Sequence, residues 1–216
     1  MSRLLKYQVS QFIVQTEVMK LELIKRYQLS RMDQDIKVWP FMNKDIFPVI
    51  TKQDNRSWDC IYVSDGQFHK NHQRLLDAWE LLASEGFDFS LALTISQDYP
   101  KLLNRINYLQ KKGLKIINLG TVPNADMPDI YAQSTVLIFP SERESYGLPL
   151  IEACLSQLPI IAPEKDYVRA VCNPVETFDP YSMLSIAKAV KRFFQVDQSL
   201  PQVLTGTDFW SRYLST

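Results

Sequence analysis

From about residue 58 onward, short apolar runs alternate with longer segments in which apolar residues recur every three or four positions. The short runs, such as LALTI and STVLIFP, are apolar almost throughout, which is typical of strands covered by helices on both faces. The longer segments, such as NHQRLLDAWELLAS, predict amphipathic helices. Strands that alternate with such helices form βαβ units. The pattern therefore predicts an α/β domain with a doubly wound parallel sheet.

The first part of the chain has a shorter pattern of its own. The runs FIVQ and IKVWP predict two strands, and EVMKLELIKRYQ between them predicts a helix. A stretch rich in proline and charged residues follows and predicts a linker, so we place a boundary near residues 40–57. We divide the chain into residues 1–48, a main domain over 49–200, and a C-terminal helix or crossover over 201–216.

Composition limits the partners that the domain can have. The chain has 216 residues, 46% of them hydrophobic, and 24 basic side chains balance 24 acidic ones. A net charge of zero argues against a broad surface for nucleic acid or anionic membranes but allows one local cationic site. Three widely spaced cysteines, Cys60, Cys154 and Cys172, fit buried reduced thiols. No apolar run is long enough to span a membrane, so we expect a cytoplasmic protein. Because of the balanced charge, we expect no nucleic-acid partner.

The segment SERESYGL predicts a loop with an anion-binding site. It lies between Pro140, which ends a predicted strand, and Pro149, which is suited to the first position of a helix. Ligands of open α/β sheets bind at the carboxyl ends of the strands. Gly147 lets a ligand approach the backbone closely, and the helix N-terminus beyond it favours a phosphate group.

Two carboxylates flank this predicted phosphate site. Glu144 lies on the loop and Glu152 in the expected first turn of the helix, so both can face one cleft. An ionised carboxylate accepts hydrogen bonds and suits hydroxyl groups. A pyrophosphate between two hydroxyl-rich rings, as in a nucleotide sugar, would satisfy all three elements. The alternative is that Glu152 only complements the helix dipole and that Glu142 and Glu144 are solvated loop charges.

The same segment resembles a known family signature. Seven residues separate Glu144 from Glu152, and Ala153 and the run LPIIAP follow. This arrangement is similar to the E-x7-E motif of the glycosyltransferase group 1 family, whose members are retaining, sugar-nucleotide-dependent enzymes with the GT-B fold of two Rossmann-like domains. The resemblance covers roughly residues 10–215 and implies that this chain is the second half of a GT-B architecture.

The resemblance also implies roles for individual residues. Glu144 would be the catalytic residue near the anomeric centre of the donor sugar, and Glu152 would bind the ribose hydroxyls. The backbone of Tyr146, Gly147 and Leu148 would hold the distal phosphate or the sugar.

The resemblance implies further donor contacts on other loops. Lys70 would clamp the diphosphate, Val122 would pack on the base, and Arg143 is a candidate phosphate contact. The family has an arginine five residues before its lysine, where this chain has Asp65. Because Asp65 would repel phosphate, either the loop has a different shape or the donor contact is weaker than usual. Alternatively, Gly120 before Val122 simply ends a strand.

A metal site is not expected. His69 and His72 flank Lys70, but no third ligand is evident near them, and zinc needs three or four. Helix capping, or contacts that support the neighbouring site residues, explain them better. We expect no required cofactor and a nucleotide-diphosphate sugar as the donor substrate.

The resemblance leaves the context of the chain open. Residues 1–48 would be a remnant of the acceptor-binding first domain. The chain would then be a piece of a longer enzyme, one subunit of a split transferase, or a nucleotide-sugar-binding subunit without catalysis; an epimerase on the same fold is less favoured. Expected partners are an unknown acceptor, a separate N-terminal acceptor domain or a second copy of the chain, with peripheral membrane association through the missing domain. Gln157, where the family has glycine, predicts a strained helix end.

Overall fold

The computed structural model describes residues 11–29, 36–39 and 56–196. The first part is a small βαβ unit, made of strand β1 (Phe12–Val14), helix α1 (Glu17–Tyr27) and strand β2 (Ile36–Val38). The two strands pair in parallel, with Phe12 beside Ile36. Val14, Leu29 and Ile36 form the buried centre of a separate small hydrophobic cluster. The predicted helix between two strands is thus present.

The main domain contains a six-stranded sheet in which all pairs are parallel. Its strands are β3 (Trp58–Tyr62), β4 (Leu91–Leu93), β5 (Ile116–Asn118), β6 (Ser134–Ile138), β7 (Ile160–Pro163) and β8 (Glu176–Phe178). Their order across the sheet is β5-β4-β3-β6-β7-β8. In the register of the central strands, Cys60 of β3 lies beside Leu91 of β4 and Val136 of β6.

In the described part of this domain, five helices connect the strands and a sixth follows β8, so that helices cover both faces of the sheet. They are α2 (His72–Ser84), α3 (Pro100–Lys111), α4 (Met127–Ala132), α5 (Leu148–Leu155), α6 (Asp166–Arg169) and α7 (Met183–Phe193). Right-handed crossovers put α2 and α3 on one face, where α7 packs against α2, and put α4, α5 and α6 on the other. In the central strands, residues such as Ile61, Ala92 and Leu137 are fully buried. The predicted doubly wound α/β fold is confirmed.

Several local predictions require correction. Helix α5 begins at Leu148, one residue before Pro149, because Gly147 adopts a left-handed conformation (φ 72°) that starts the helix directly. Glu152 consequently lies in the second turn rather than the first. Cys154 is exposed, unlike Cys60 and Cys172, because it lies on the outer side of this short helix.

The strained end of α5 is as predicted. Gln157 has a positive φ of 52°, a backbone conformation that is less stable for a residue with a side chain than for glycine. The proposed domain boundaries stay predictions, since 40–55 and 197–216, with the expected C-terminal crossover, lie outside the described residues. Within the described part of the chain, no helix is both long and apolar enough to cross a membrane.

Candidate functional site

The site lies where the direction of winding changes. The chain leaves β3 toward α2 on one face of the sheet and leaves β6 toward α5 on the other, although β3 and β6 are neighbours. Their following loops therefore separate and open a crevice at the carboxyl edge. Such a topological switch point is where open α/β sheets bind ligands.

An ion pair connects the two loops of this crevice. The Nζ of Lys70, at the end of the β3 loop, donates to both carboxylate oxygens of Glu144, on the β6 loop, at 2.8 and 3.0 Å. The two side chains retain only 19% and 9% of their exposure. Both residues are predicted from the sequence but their contact is not, since 74 positions separate them along the chain.

Buried polar groups hold these two loops in place. The hydroxyl of Tyr62 donates to the carbonyl of Lys70 at 2.9 Å, and the backbone N–H of Glu142 donates to the carbonyl of His69 at 2.9 Å. The hydroxyl of Tyr167 donates to the carbonyl of Ser141 at 2.6 Å. The loops that carry Lys70 and Glu144 are therefore fixed to each other through the backbone as well as through the ion pair.

Asn71 is a structural residue that sequence analysis missed. Its buried side-chain amide donates to the carbonyls of Pro140 at 3.1 Å and Pro180 at 2.7 Å. Its backbone is left-handed (φ 61°), a conformation that asparagine tolerates better than most residues. The only sequence signal is an asparagine at the start of the predicted helix segment NHQRLLDAWELLAS. Asn71 thus ties the start of α2 to the loops that follow β6 and β8.

The mouth of α5 forms the floor of the crevice. Gly147 precedes the helix, and a Cβ at this position would lie 3.1 Å from Cδ1 of Leu150. A helix N-terminus leaves backbone N–H groups unpaired and carries a partial positive charge. The positive φ and the tight contact together explain why glycine suits this position.

A cavity of about 440 Å³ contains most of the predicted site residues. It is lined by Lys70, Glu144, Tyr146, Gly147 and Leu148, together with Ser145 and Pro149. Gln15, from the loop between β1 and α1, also lines it. The side-chain oxygen of Gln15 is buried and has no hydrogen-bond partner among the described residues. The small N-terminal unit therefore contributes to the cavity, which sequence analysis did not anticipate.

Glu152 lies outside the lining of this cavity and has a partner of its own. The buried hydroxyl of Tyr131, on α4, donates to one oxygen of Glu152 at 2.7 Å. Burial raises the pKa of the Glu152 carboxyl, and the hydrogen bond from Tyr131 partly opposes this rise. The prediction that Glu144 and Glu152 both face one cleft therefore stays untested, and Tyr131 is a residue that the sequence pattern did not single out.

The remaining predicted contacts lie around the crevice. Val122 is half-buried and packs against the main core on the loop after β5. Arg143 is exposed and does not line the cavity. Both oxygens of Asp65 accept hydrogen bonds from Gln67, at 3.3 and 2.7 Å. These contacts satisfy the Asp65 carboxylate locally, within its own turn.

The two histidines have different environments. His69 is half-exposed, whereas His72 is buried, with its ring centroid 4.7 Å from that of Tyr62. Burial lowers the pKa of His72 to about 3, so its imidazole is neutral at physiological pH. Among the described residues, no group of three or more His, Cys, Asp or Glu side chains could hold a metal ion.

Comparison with known proteins identifies the family. The sequence profile of "Glycosyl transferases group 1" matches residues 43–203, about three quarters of the chain. The chain belongs to this family. The predicted resemblance is confirmed, and the fold is that of the Rossmann-like half of GT-B glycosyltransferases.

Individual relatives agree with this assignment. The serotype-specific mannosyltransferase WbdA of Escherichia coli is 29% identical over 136 residues, which cover 62% of this chain and 17% of that protein. The O-antigen chain mannosyltransferase B of Escherichia coli is 28% identical over 130 residues, covering 54% and 32% of the two chains. The chain therefore matches less than a third of the length of these relatives.

A solved structure agrees in fold. The pneumococcal O-GlcNAc transferase GtfA, crystallised with UDP and GlcNAc, superposes with a TM-score of 0.65 at 18% identity. The match covers 89% of this chain and 40% of that protein.

Proposed function

We propose that this chain is the donor-binding half of a retaining glycosyltransferase, which moves a sugar from a nucleoside diphosphate carrier to an acceptor hydroxyl. The observation that carries this proposal is the ion pair between Lys70 and Glu144 at the mouth of α5. It combines a cation, a hydroxyl acceptor and a helix N-terminus in one cavity. The pneumococcal relative in complex with UDP supports a nucleotide donor.

In this proposal the diphosphate lies against the start of α5. Negative charge grows on the diphosphate as the bond to the sugar breaks, and a fixed cation beside it lowers the barrier. Lys70 supplies that cation from a half-buried position. Gly147 carries no side chain, so the phosphate oxygens can approach the backbone N–H groups of Tyr146, Gly147 and Leu148.

The two carboxylates bind the two hydroxyl-rich ends of the donor. Glu144 accepts a hydrogen bond from a hydroxyl of the sugar and holds the anomeric centre in position. We therefore assign Glu144 as the catalytic residue. One oxygen of Glu152 accepts the hydrogen bond from Tyr131, and the second accepts hydrogen bonds from the ribose hydroxyls. Val122 packs against the base. Arg143 makes the weakest of the proposed donor contacts, because its exposed side chain must turn to reach the phosphate.

The relatives support a proposal for the sugar and the pathway. Because the matched proteins include mannosyltransferases, one of the O-antigen chain, we propose that mannose is transferred in the synthesis of a polysaccharide or glycoconjugate in the cytoplasm. The acceptor binds to a second domain that the small N-terminal unit joins, and that domain provides any peripheral contact with a membrane.

Calorimetric titration of the chain with UDP, GDP and ADP tests the donor site. We expect selective binding of one diphosphate and weaker binding of that diphosphate by Glu152→Ala. Tyr108→Ala, which removes an exposed ring on α3, is the matched control and leaves binding unchanged. Failure of all three diphosphates to bind would refute the proposal.

A second measurement separates transfer from binding alone. Release of free nucleoside diphosphate from the nucleotide sugar only after an acceptor glycan is added indicates a transferase. Binding without such release, in the presence of the second domain, would indicate a non-catalytic nucleotide-sugar-binding subunit. The anomeric configuration of the product, determined by NMR, tests retention.

A further inference from the structure

A second and larger cavity lies beside the donor site on the other side of the β3 loop. Its volume is about 630 Å³, within the range of roughly 300 to 1,000 Å³ that is typical of small-molecule sites. It is bounded by the β3 loop, the first two turns of α2, the start of α3, and Glu142. Lys70 and Glu144 line the donor cavity instead, so one loop separates the two.

Aromatic rings shape this cavity. Phe68 lines it and is 93% exposed, which is unusual for so large an apolar side chain. The ring of Tyr99 lies against the backbone of Gly66, where a Cβ would come within 2.3 Å of the ring. Only glycine leaves room for this ring, and Pro100 and Leu102 extend the same apolar wall. The cavity therefore offers flat apolar surfaces to a ligand.

The charges around the cavity are mixed, with two basic and three acidic residues. Arg74 and Lys101 are its basic residues, and Asp77, Asp98 and Glu142 its acidic ones. Arg74 lies 3.5 Å from Glu142, so part of the charge is already paired. A phosphate or a nucleotide would need an excess of positive charge, which is absent here. The cavity instead suits a neutral ligand with hydroxyl groups, because carboxylates accept and cationic groups donate hydrogen bonds.

His72 provides a buried polar group in the wall of this cavity. It retains 4% of its exposure, and neither ring nitrogen has a hydrogen-bond partner among the described residues. Buried polar atoms without partners are costly and uncommon in folded proteins. The imidazole is neutral at physiological pH, and both of its nitrogens are closed off from solvent, so His72 forms part of the inner wall and offers no hydrogen bond to a ligand.

We propose that this cavity is a second carbohydrate site, which binds a neutral sugar unit of a glycan. Phe68 and Tyr99 contact the apolar faces of the sugar ring, and Glu142 and Asp77 accept hydrogen bonds from its hydroxyl groups. Phe68 and His72 each lie two residues from Lys70, so a glycan held here lies next to the donor site. The site goes beyond donor binding, and only its use in glycan synthesis rests on the proposed function.

Saturation-transfer NMR and titration of the full chain with mannotriose, maltotriose and chitotriose test this site. We expect at least one trisaccharide to bind, and Phe68→Ala to weaken its binding about tenfold, the effect of losing roughly 1.4 kcal/mol. Tyr108→Ala removes an exposed aromatic side chain outside the cavity and should bind as the unmodified chain does.

Competition with a nucleotide distinguishes the two cavities. The diphosphate that binds best to the chain should leave trisaccharide binding unchanged, and Phe68→Ala should leave diphosphate binding unchanged. Displacement of the trisaccharide by the diphosphate would mean that the glycan occupies the donor cavity, which overturns the proposal. Equal binding by Phe68→Ala and the unmodified chain, or no binding of any of the three trisaccharides, overturns it as well. Trisaccharide binding and its loss in Phe68→Ala can be measured whether or not any diphosphate binds, so they test this site independently of the donor site.

Discussion

Replacing the two members of the ion pair should change nucleotide affinity in opposite directions. Lys70→Met removes the cation that the diphosphate needs but keeps a side chain of similar length. Glu144→Gln keeps the shape of the side chain but removes the negative charge that holds Lys70 in the free protein. Both Glu144 oxygens lie within 3.0 Å of Nζ, so Glu144 occupies donors of the ammonium group and offsets the positive charge that a bound phosphate would use.

The structure sets the size of each effect. A hydrogen bond to a charged group contributes about 1.5 to 3 kcal/mol, so Lys70→Met should weaken diphosphate binding about 10- to 150-fold. Exposed ion pairs contribute about 0 to 1 kcal/mol to stability. The side chains of Lys70 and Glu144 are only 19% and 9% exposed, so the free energy of this pair lies at or above the upper end of that range. Releasing Lys70 through Glu144→Gln should therefore tighten binding of the free diphosphate about fivefold.

Calorimetric titration measures both constants. The diphosphate and the matching nucleotide sugar are titrated against the unmodified chain and both variants at equal ionic strength, because salt screens such contacts. For the nucleotide sugar, we expect Glu144→Gln to show no such increase in affinity, since the variant also loses the carboxylate that accepts a hydrogen bond from the sugar hydroxyl. Weaker diphosphate binding by both variants, or unchanged binding by Lys70→Met, would refute the competition between Glu144 and phosphate.

Three further predictions follow from other residues. Glu152→Gln should reduce the preference for a ribose over a 2′-deoxyribose or 3′-deoxyribose diphosphate severalfold, and titration of the three nucleotides with unchanged ratios would contradict the ribose role. His72→Phe should reduce the loss of stability in acid. The pKa of His72 falls from 6.5 to about 3 on folding, so the unfolded chain takes up the proton first and up to about 5 kcal/mol is lost between pH 6.5 and 3. Urea unfolding at pH 7 and pH 4 checks this, and an equal drop in both proteins would contradict it. Gln157→Gly should raise stability by about 1 kcal/mol, because its φ of 52° suits glycine, and a lower midpoint of unfolding would argue against strain at this helix end.

Much of the site could be predicted from local sequence because its chemistry is local. Gly147 needs a positive φ at the start of a helix, and the spacing from Glu144 to Glu152 lies within a single loop and helix. The contacts across the crevice could not be predicted in this way. Tyr131 bonds Glu152 from another helix, and Gln15 reaches the cavity from the first strand unit, at sequence separations over which no periodic pattern carries information.

The sequence by itself determined the order of strands and helices, the parallel sheet and the family, because burial on both faces imposes apolar runs and the motif residues are close together along the chain. Only the tertiary structure decided that Lys70 pairs with Glu144, that Asn71 bonds two distant carbonyls, and that a second cavity opens beside Phe68. The reason is physical. These features depend on distances and directions between loops at the edge of the sheet, which are set by the packing of the whole domain and not by the preference of any segment.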